Sequence, residues 1–158
     1  MSQAVLFVCL GNICRSPTAH GVFQNMVDRA GLTQQITIDS AGTGDWHIGH
    51  PPDRRMTAAA QARNIDLTPL RARQVSVDDF HDFDLILAMD RSNLSDLLTM
   101  KPGHCRATVK LFLDYADSPL QEVPDPYYGG PEGFETVLDL VEDGARGLLG
   151  ELQRGALE

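Results

Sequence analysis

Strand-like and helix-like stretches alternate along this chain, and no other feature of the sequence limits its fold so tightly. Four short runs, AVLFVC (4–9), ITIDS (36–40), DLILAM (84–89) and ATVKLF (107–112), are rich in β-branched or aromatic residues and bounded by polar or turn residues. That is the pattern of buried strands. Between them the apolar spacing is helical. In PTAHGVFQNMVDRA, Val22, Phe23, Met26, Val27 and Ala30 share one side. Ser16 is placed to cap this helix, Pro17 suits its first position and Gly31 supplies its stop. A second helix is expected from Asp53 through the alanine-rich MTAAAQAR and a third from Asp90 in DRSNLSDLL. The last covers GFETVLDLVEDGARGLLGEL, with Phe134, Val137, Leu138, Val141, Leu148 and Leu149 as its apolar stripe, and HDF around Phe80 to Phe83 adds one turn. Parallel neighbours need connections long enough to hold a helix, so this alternation predicts a parallel sheet. The expected architecture is a three-layer α/β/α, Rossmann-like fold with a four-stranded parallel sheet and helices on both faces. With 158 residues and 42% hydrophobic composition, the chain is expected to form a single domain, 1–158, with a real core.

Charge and composition exclude several classes of partner. A net charge of -9 repels nucleic acid and anionic membrane, since both need a basic footprint. The N-terminal apolar run is short, lacks a basic flank and passes into polar residues, so it reads as neither a signal peptide nor a membrane span. Three cysteines without an export signal point to the cytoplasm, where thiols are catalytic, redox-sensing or buried. The chain is expected to work as a monomer or weak dimer.

The segment CLGNICRSP (9–17) sits between the first strand and the first helix, where ligands bind in parallel α/β sheets. A loop entering a helix turns its N–H groups inward, and the helix N-terminus adds roughly half a positive charge. Residues Cys9, Leu10, Gly11, Asn12, Ile13, Cys14, Arg15 and Ser16 thus read as an anion cradle. Gly11 gives freedom for tight curvature, and Asn12 tolerates a left-handed backbone. The field of the loop favours a thiolate at Cys9. Arg15 can fold back as a planar fork over two phosphate oxygens, and Ser16 can donate to the sulfur. Together these parts describe phosphoryl transfer to cysteine.

CLGNICRSP closely resembles the phosphate-binding loop of the low molecular weight protein tyrosine phosphatases, and the likeness extends through SAGTGDW, ARQV, LAMDRSNL and DPYYGG in the family's order. The resemblance implies a phosphoric monoester hydrolase acting on phosphotyrosine proteins, possible kinases among them. It implies Cys9 as nucleophile, Arg15 as phosphate clamp and Asp125 as general acid, with Asn12, Ser16 and Ser40 bracing the loop. A carboxylic acid on a loop stiffened by Pro124 and Pro126 also suits protonation of a leaving phenolate. Trp46, Tyr127 and Tyr128, in loop-like polar surroundings, are expected to wall a slot for an aromatic ring, with Ile13 of the loop as its apolar contact. No cofactor or metal is implied.

Cys14 lies near enough to Cys9 for a reversible disulfide, or else serves as a small buried apolar residue. One departure from the family pattern is Leu70, where many relatives carry a loop-bracing histidine; Ser40 is expected to carry more of the network. His47 and His50 lack a third ligand and read as loop residues, and His20, His81 and His104 carry no motif. Three alternatives stand beside the phosphatase. Arsenate reduction needs further relay cysteines, where this chain has Ser92 and Ser95. Phosphoarginine hydrolysis goes with threonine in relatives, where this chain has Ile13. A non-enzymatic Cys9/Cys14 redox sensor leaves Arg15 and Asp125 without a shared task.

Overall fold

The computed structural model describes residues 2–127 and 129–157. Its strands are β1 (Gln3–Cys9), β2 (Ile36–Gly42), β3 (Leu85–Ala88) and β4 (Thr108–Leu111). Its helices are α1 (Arg15–Arg29), α2 (Arg54–Gln61), α3 (Asp79–Asp82), α4 (Arg91–Met100) and α5 (Pro131–Leu157). All pairings are parallel, in the order β2-β1-β3-β4. In register, β1 pairs from Gln3 with Ile36 through Cys9 with Gly42, and from Val5 with Leu85 through Val8 with Ala88.

Central position explains why AVLFVC is apolar throughout instead of alternating: β1 is covered on both faces. Val5, Phe7 and Cys9 face a layer built from α1 and α5, where Val22, Phe23 and Val27 meet Val137, Leu138 and Val141. Phe7 packs edge-on against Phe23 and Phe112, with ring centroids 5.8 and 5.2 Å away. Leu6 and Val8 face the opposite layer with Ile86, Ala88, Phe80 of α3 and Leu97 of α4. The expected three-layer α/β/α arrangement is present.

Several boundaries differ from the sequence reading; the last helix, for one, spans Pro131–Leu157. The first helix begins at Arg15, with Cys14 at the cap position and no side-chain cap. Ser16 lies inside it because its hydroxyl is engaged by the Cys9 sulfur, 3.0 Å away. The strand expected over ATVKLF ends at Leu111, and Phe112–Tyr115 forms a 3₁₀ turn that carries the Phe112 ring into the core beside Phe7. Gly31 ends the first helix as expected, at φ 74°. Among the described residues, no helix is long and apolar enough to cross a membrane.

Strand order reverses between β1 and β3, which lie side by side although β2 separates them in sequence. A crevice opens at such a switch point beyond the strands' C-terminal ends. The segments that follow β1 and β3 meet there: residues 10–14 from one, Asp90 from the other.

Candidate active site

The loop after β1 curls because Asn12 adopts a left-handed conformation, φ 57°, which its short polar side chain tolerates. Its main-chain N–H donates to Cys9 Sγ at 3.3 Å. The Asn12 amide ties the loop on both sides, donating to Ser16 Oγ at 2.8 Å and accepting from the Arg73 main-chain N–H at 3.0 Å. Among the described residues, the main-chain N–H groups of Gly11, Ile13, Cys14 and Arg15 donate to no other part of the protein. They remain available to an anion above Cys9.

Gly11 has a different task from the one expected. Its φ is not positive; instead a Cβ there would lie 2.9 Å from the His47 ring, so glycine makes room for His47. The sequence reading passed over Gly42, the last residue of β2. A Cβ on it would stand 2.7 Å from the Leu10 carbonyl oxygen and 3.2 Å from the Asn12 nitrogen. Gly42 therefore lets the sheet edge touch the loop backbone, while Thr43 and Gly44 donate to the Cys9 and Leu10 carbonyls at 2.9 Å each.

Arg15 is buried with its guanidinium turned back beneath the crevice. Its Nη1 donates to Asp90 Oδ2 at 2.6 Å and to the Val123 carbonyl at 3.1 Å, and Nη2 stands 3.8 Å from Asp125 Oδ2. Burial works against its charge, but Cys9, Asp90 and Asp125 outweigh burial and hold its pKa above the ordinary arginine value. Asp90 thus fixes the Arg15 guanidinium while capping α4 through Asn93 N–H at 2.8 Å. DRSN reads in sequence as an ordinary helix start, and that reading hid the second role.

Cys9, Gly11, Ile13 and Arg15 form the floor of a cavity of about 390 Å³. Trp46, His47 and Tyr127 form its walls, with Asp125 at the rim. Trp46 is well exposed, and the Tyr127 and His47 rings stand 6.4 Å apart. Tyr128, the other expected wall, lies outside the described residues. Asp125 accepts from Tyr127 N–H through Oδ1 at 3.0 Å, leaving Oδ2 directed to the Arg15 side. Cys14 is buried within the loop, and burial, with Asp53, Cys9 and Asp125, pushes its pKa far up.

The expected bracing by Ser40 takes another form. Ser40 Oγ stands 3.3 Å from His20 Nδ1, linking β2 to α1, and is not bonded to the loop. Leu70 packs against the core, and the place of a bracing side chain is filled by the Arg73 backbone. Arg73 is itself fixed by Asp39 and by a fork to Asp79, all at 3.0 Å. His47 and His50 rings are 5.9 Å apart, and among the described residues no three histidine, cysteine or carboxylate groups gather as a metal site.

Fold and site together define an α/β protein in which a cavity lined by free loop N–H groups and a cysteine opens at the end of the first strand. The family model for low molecular weight phosphotyrosine protein phosphatases matches residues 4–157. A Schizosaccharomyces pombe low molecular weight phosphotyrosine protein phosphatase is 52% identical over 141 residues, covering 87% of this chain and 90% of that one. A Bacillus subtilis low molecular weight protein-tyrosine-phosphatase is 45% identical over 152 residues, 96% of each chain. The solved structure of a protein tyrosine phosphatase from Entamoeba histolytica, with Hepes in its active site, superposes with a TM-score of 0.94. It is 39% identical and covers 98% of this chain and 99% of its own. The chain belongs to the low molecular weight phosphotyrosine protein phosphatase family.

Proposed function

We propose that the protein hydrolyses phosphotyrosine and related aryl phosphate monoesters through a phosphocysteine on Cys9. The observation that carries this reading is the meeting in one cavity of Cys9, a buried Arg15 and Asp125, with the Asn12 N–H donated to the sulfur and Ser16 Oγ 3.0 Å from it. The Cys9 thiolate attacks phosphorus while the bond from phosphorus to the aryl oxygen breaks. The departing electron pair settles on that oxygen, which takes the Asp125 proton. Free loop N–H groups and Arg15 hold the equatorial oxygens. In the second step Asp125 accepts a proton from water, water oxygen bonds to phosphorus, and the sulfur leaves with its electron pair. Ser16 and Asn12 N–H stabilise that sulfur as nucleophile and as leaving group. Ile13, Trp46 and Tyr127 hold the aromatic ring, and the apolar Ile13 favours an aryl ester.

Substrates on this reading are phosphotyrosine proteins, a tyrosine kinase among them. The need to keep Cys9 reduced supports action in the cytoplasm. All the groups come from one chain, consistent with action as a monomer or weak dimer. Cys14 guards the nucleophile. Peroxide transfers an oxygen to the Cys9 sulfur, giving a sulfenic acid and water; the Cys14 sulfur then displaces hydroxide from it, its proton completing water, and a cellular dithiol later reduces the disulfide. Wild type treated with peroxide and then dithiol recovers activity on this account, whereas Cys14→Ser does not; equal recovery removes the role of Cys14.

Turnover of p-nitrophenyl phosphate at mildly acid pH by wild type, Cys9→Ser and Asp125→Ala tests the whole reading. Wild type turns over, Cys9→Ser is inactive, and Asp125→Ala loses about 10²-fold or more. Inactive wild type, or active Cys9→Ser, refutes it.

A further inference from the structure

A proton donor on a loop is aimed only as well as the loop is tethered, and small displacements of a catalytic group lose large factors in rate. Upstream of Asp125 the tethers come from Met89, just past β3, and from the first residues of α1 and α4. Val123 N–H donates to the Met89 carbonyl at 2.8 Å, Arg15 donates to the Val123 carbonyl at 3.1 Å, and Glu122 accepts from Arg91 N–H at 2.8 Å.

Downstream, the reach across comes from α2. Arg55 Nη2 donates to the Tyr127 carbonyl at 2.9 Å, with the guanidinium 5.5 Å from the Tyr127 ring centroid and 4.9 Å from that of Phe134. Arg55 is held in turn by Asp53, whose carboxylate takes its Nη2 at 3.0 Å and its Nε at 3.3 Å. Asp53 is anchored twice: its side chain caps α2, and its own N–H donates to the Ile13 carbonyl at 2.8 Å. Contacts therefore run unbroken from Ile13 in the phosphate loop, through Asp53 and Arg55, to Tyr127. The Tyr127 N–H completes the path by orienting Asp125 Oδ1.

We infer that Arg55, aimed by Asp53, is a positioning residue for the proton donor, locking the Asp125 loop to the phosphate loop so that Oδ2 faces the leaving oxygen. This rests on Asp125 being the acid, as proposed above. A fork geometry is needed, because one side of the guanidinium grips Asp53 while Nη2 also reaches Tyr127; lysine offers a single point and cannot do both.

The discriminating measurement is kcat/KM for two esters that differ in leaving group, p-nitrophenyl phosphate and phenyl phosphate, with wild type, Arg55→Ala and Arg55→Lys. Nitrophenolate departs readily without a proton, whereas phenolate depends on the acid. Arg55→Ala is expected to lose at least about 10-fold more on phenyl phosphate than on the nitrophenyl ester, part of the ~10²–10⁴ that a general acid contributes. Arg55→Lys should shift the same ratio in the same direction and serves if the alanine protein fails to fold. Inhibition by inorganic phosphate should stay within about twofold of wild type, since the cradle keeps its own donors. Equal losses on both esters, or no loss on either, overturn the positioning role even with wild type fully active. Failure of wild type to turn over either ester overturns the functional reading and this inference with it.

Discussion

Asn12 does three jobs with one residue: its backbone bends the loop, its N–H reaches the sulfur, and its amide bridges Ser16 to Arg73. The left-handed turn at Asn12 and the meeting of Cys9 with Arg15 in one cavity were legible in CLGNICRSP because each is a local property of residue type and spacing. Gly42 was not, because its task is to leave space for a loop remote in sequence. Gly42→Ala puts a methyl group 2.7 Å from the Leu10 carbonyl, so the loop backbone must shift. Weaker inhibition by phosphate and vanadate is expected, together with a lower melting temperature; unaltered inhibition contradicts the close-approach account. Asp90 was equally hidden. Asp90→Asn keeps its shape and removes the charge that aims Arg15, and kcat/KM should fall by about 10-fold, in line with one hydrogen bond to a charged group. Activity equal to wild type would mean that Arg15 is aimed by Val123 alone.

At the scale of elements, β1 and α1 announce themselves by apolar pattern and by Gly31, whereas contacts between elements do not show in sequence. His20 illustrates this: it carries no motif, yet it joins α1 to Ser40 of β2. Burial pushes its pKa below the ordinary 6.5, against a weaker pull upward from Asp39, so the folded protein holds it neutral. Below about pH 6.5 the unfolded chain binds a proton there that the fold does not, and stability falls as pH decreases until the lowered folded value is reached. His20→Gln should lose less stability than wild type between about pH 7.5 and 5 in urea titrations. Parallel stability curves for the two proteins would show that His20 is not held neutral. Asp53 offers a second case. Burial raises its pKa, but Arg55 and the N–H groups of Met56 and Arg55 outweigh burial and leave it below the usual range. Asp53→Ala removes the cap of α2 and should destabilise the protein by about 1 kcal/mol, read as a lower melting temperature.

For the molecule as a whole, alternation along the chain was enough to predict a parallel sheet between two helical layers, because crossover geometry leaves few other solutions. Strand order was not legible, and that order places Asp90 beside the loop after β1. The net charge of -9 acts at the same scale. Phosphotyrosine peptides with basic flanks should show higher kcat/KM than acidic ones at low ionic strength, with the ratio shrinking as salt screens the field over about 10 Å at 0.1 M. A ratio independent of salt would mean that substrate choice is set by contact within the slot. The proposed hydrolysis turns on one bond, between the Cys9 sulfur and phosphorus. Acid quenching of Asp125→Ala during turnover of p-nitrophenyl phosphate, followed by mass spectrometry of its peptides, looks for that bond directly. One phosphoryl group on the peptide carrying Cys9, absent from Cys9→Ser, is the expected result; turnover with the phosphoryl group on another residue, or with no protein adduct and Cys9→Ser still active, would contradict it.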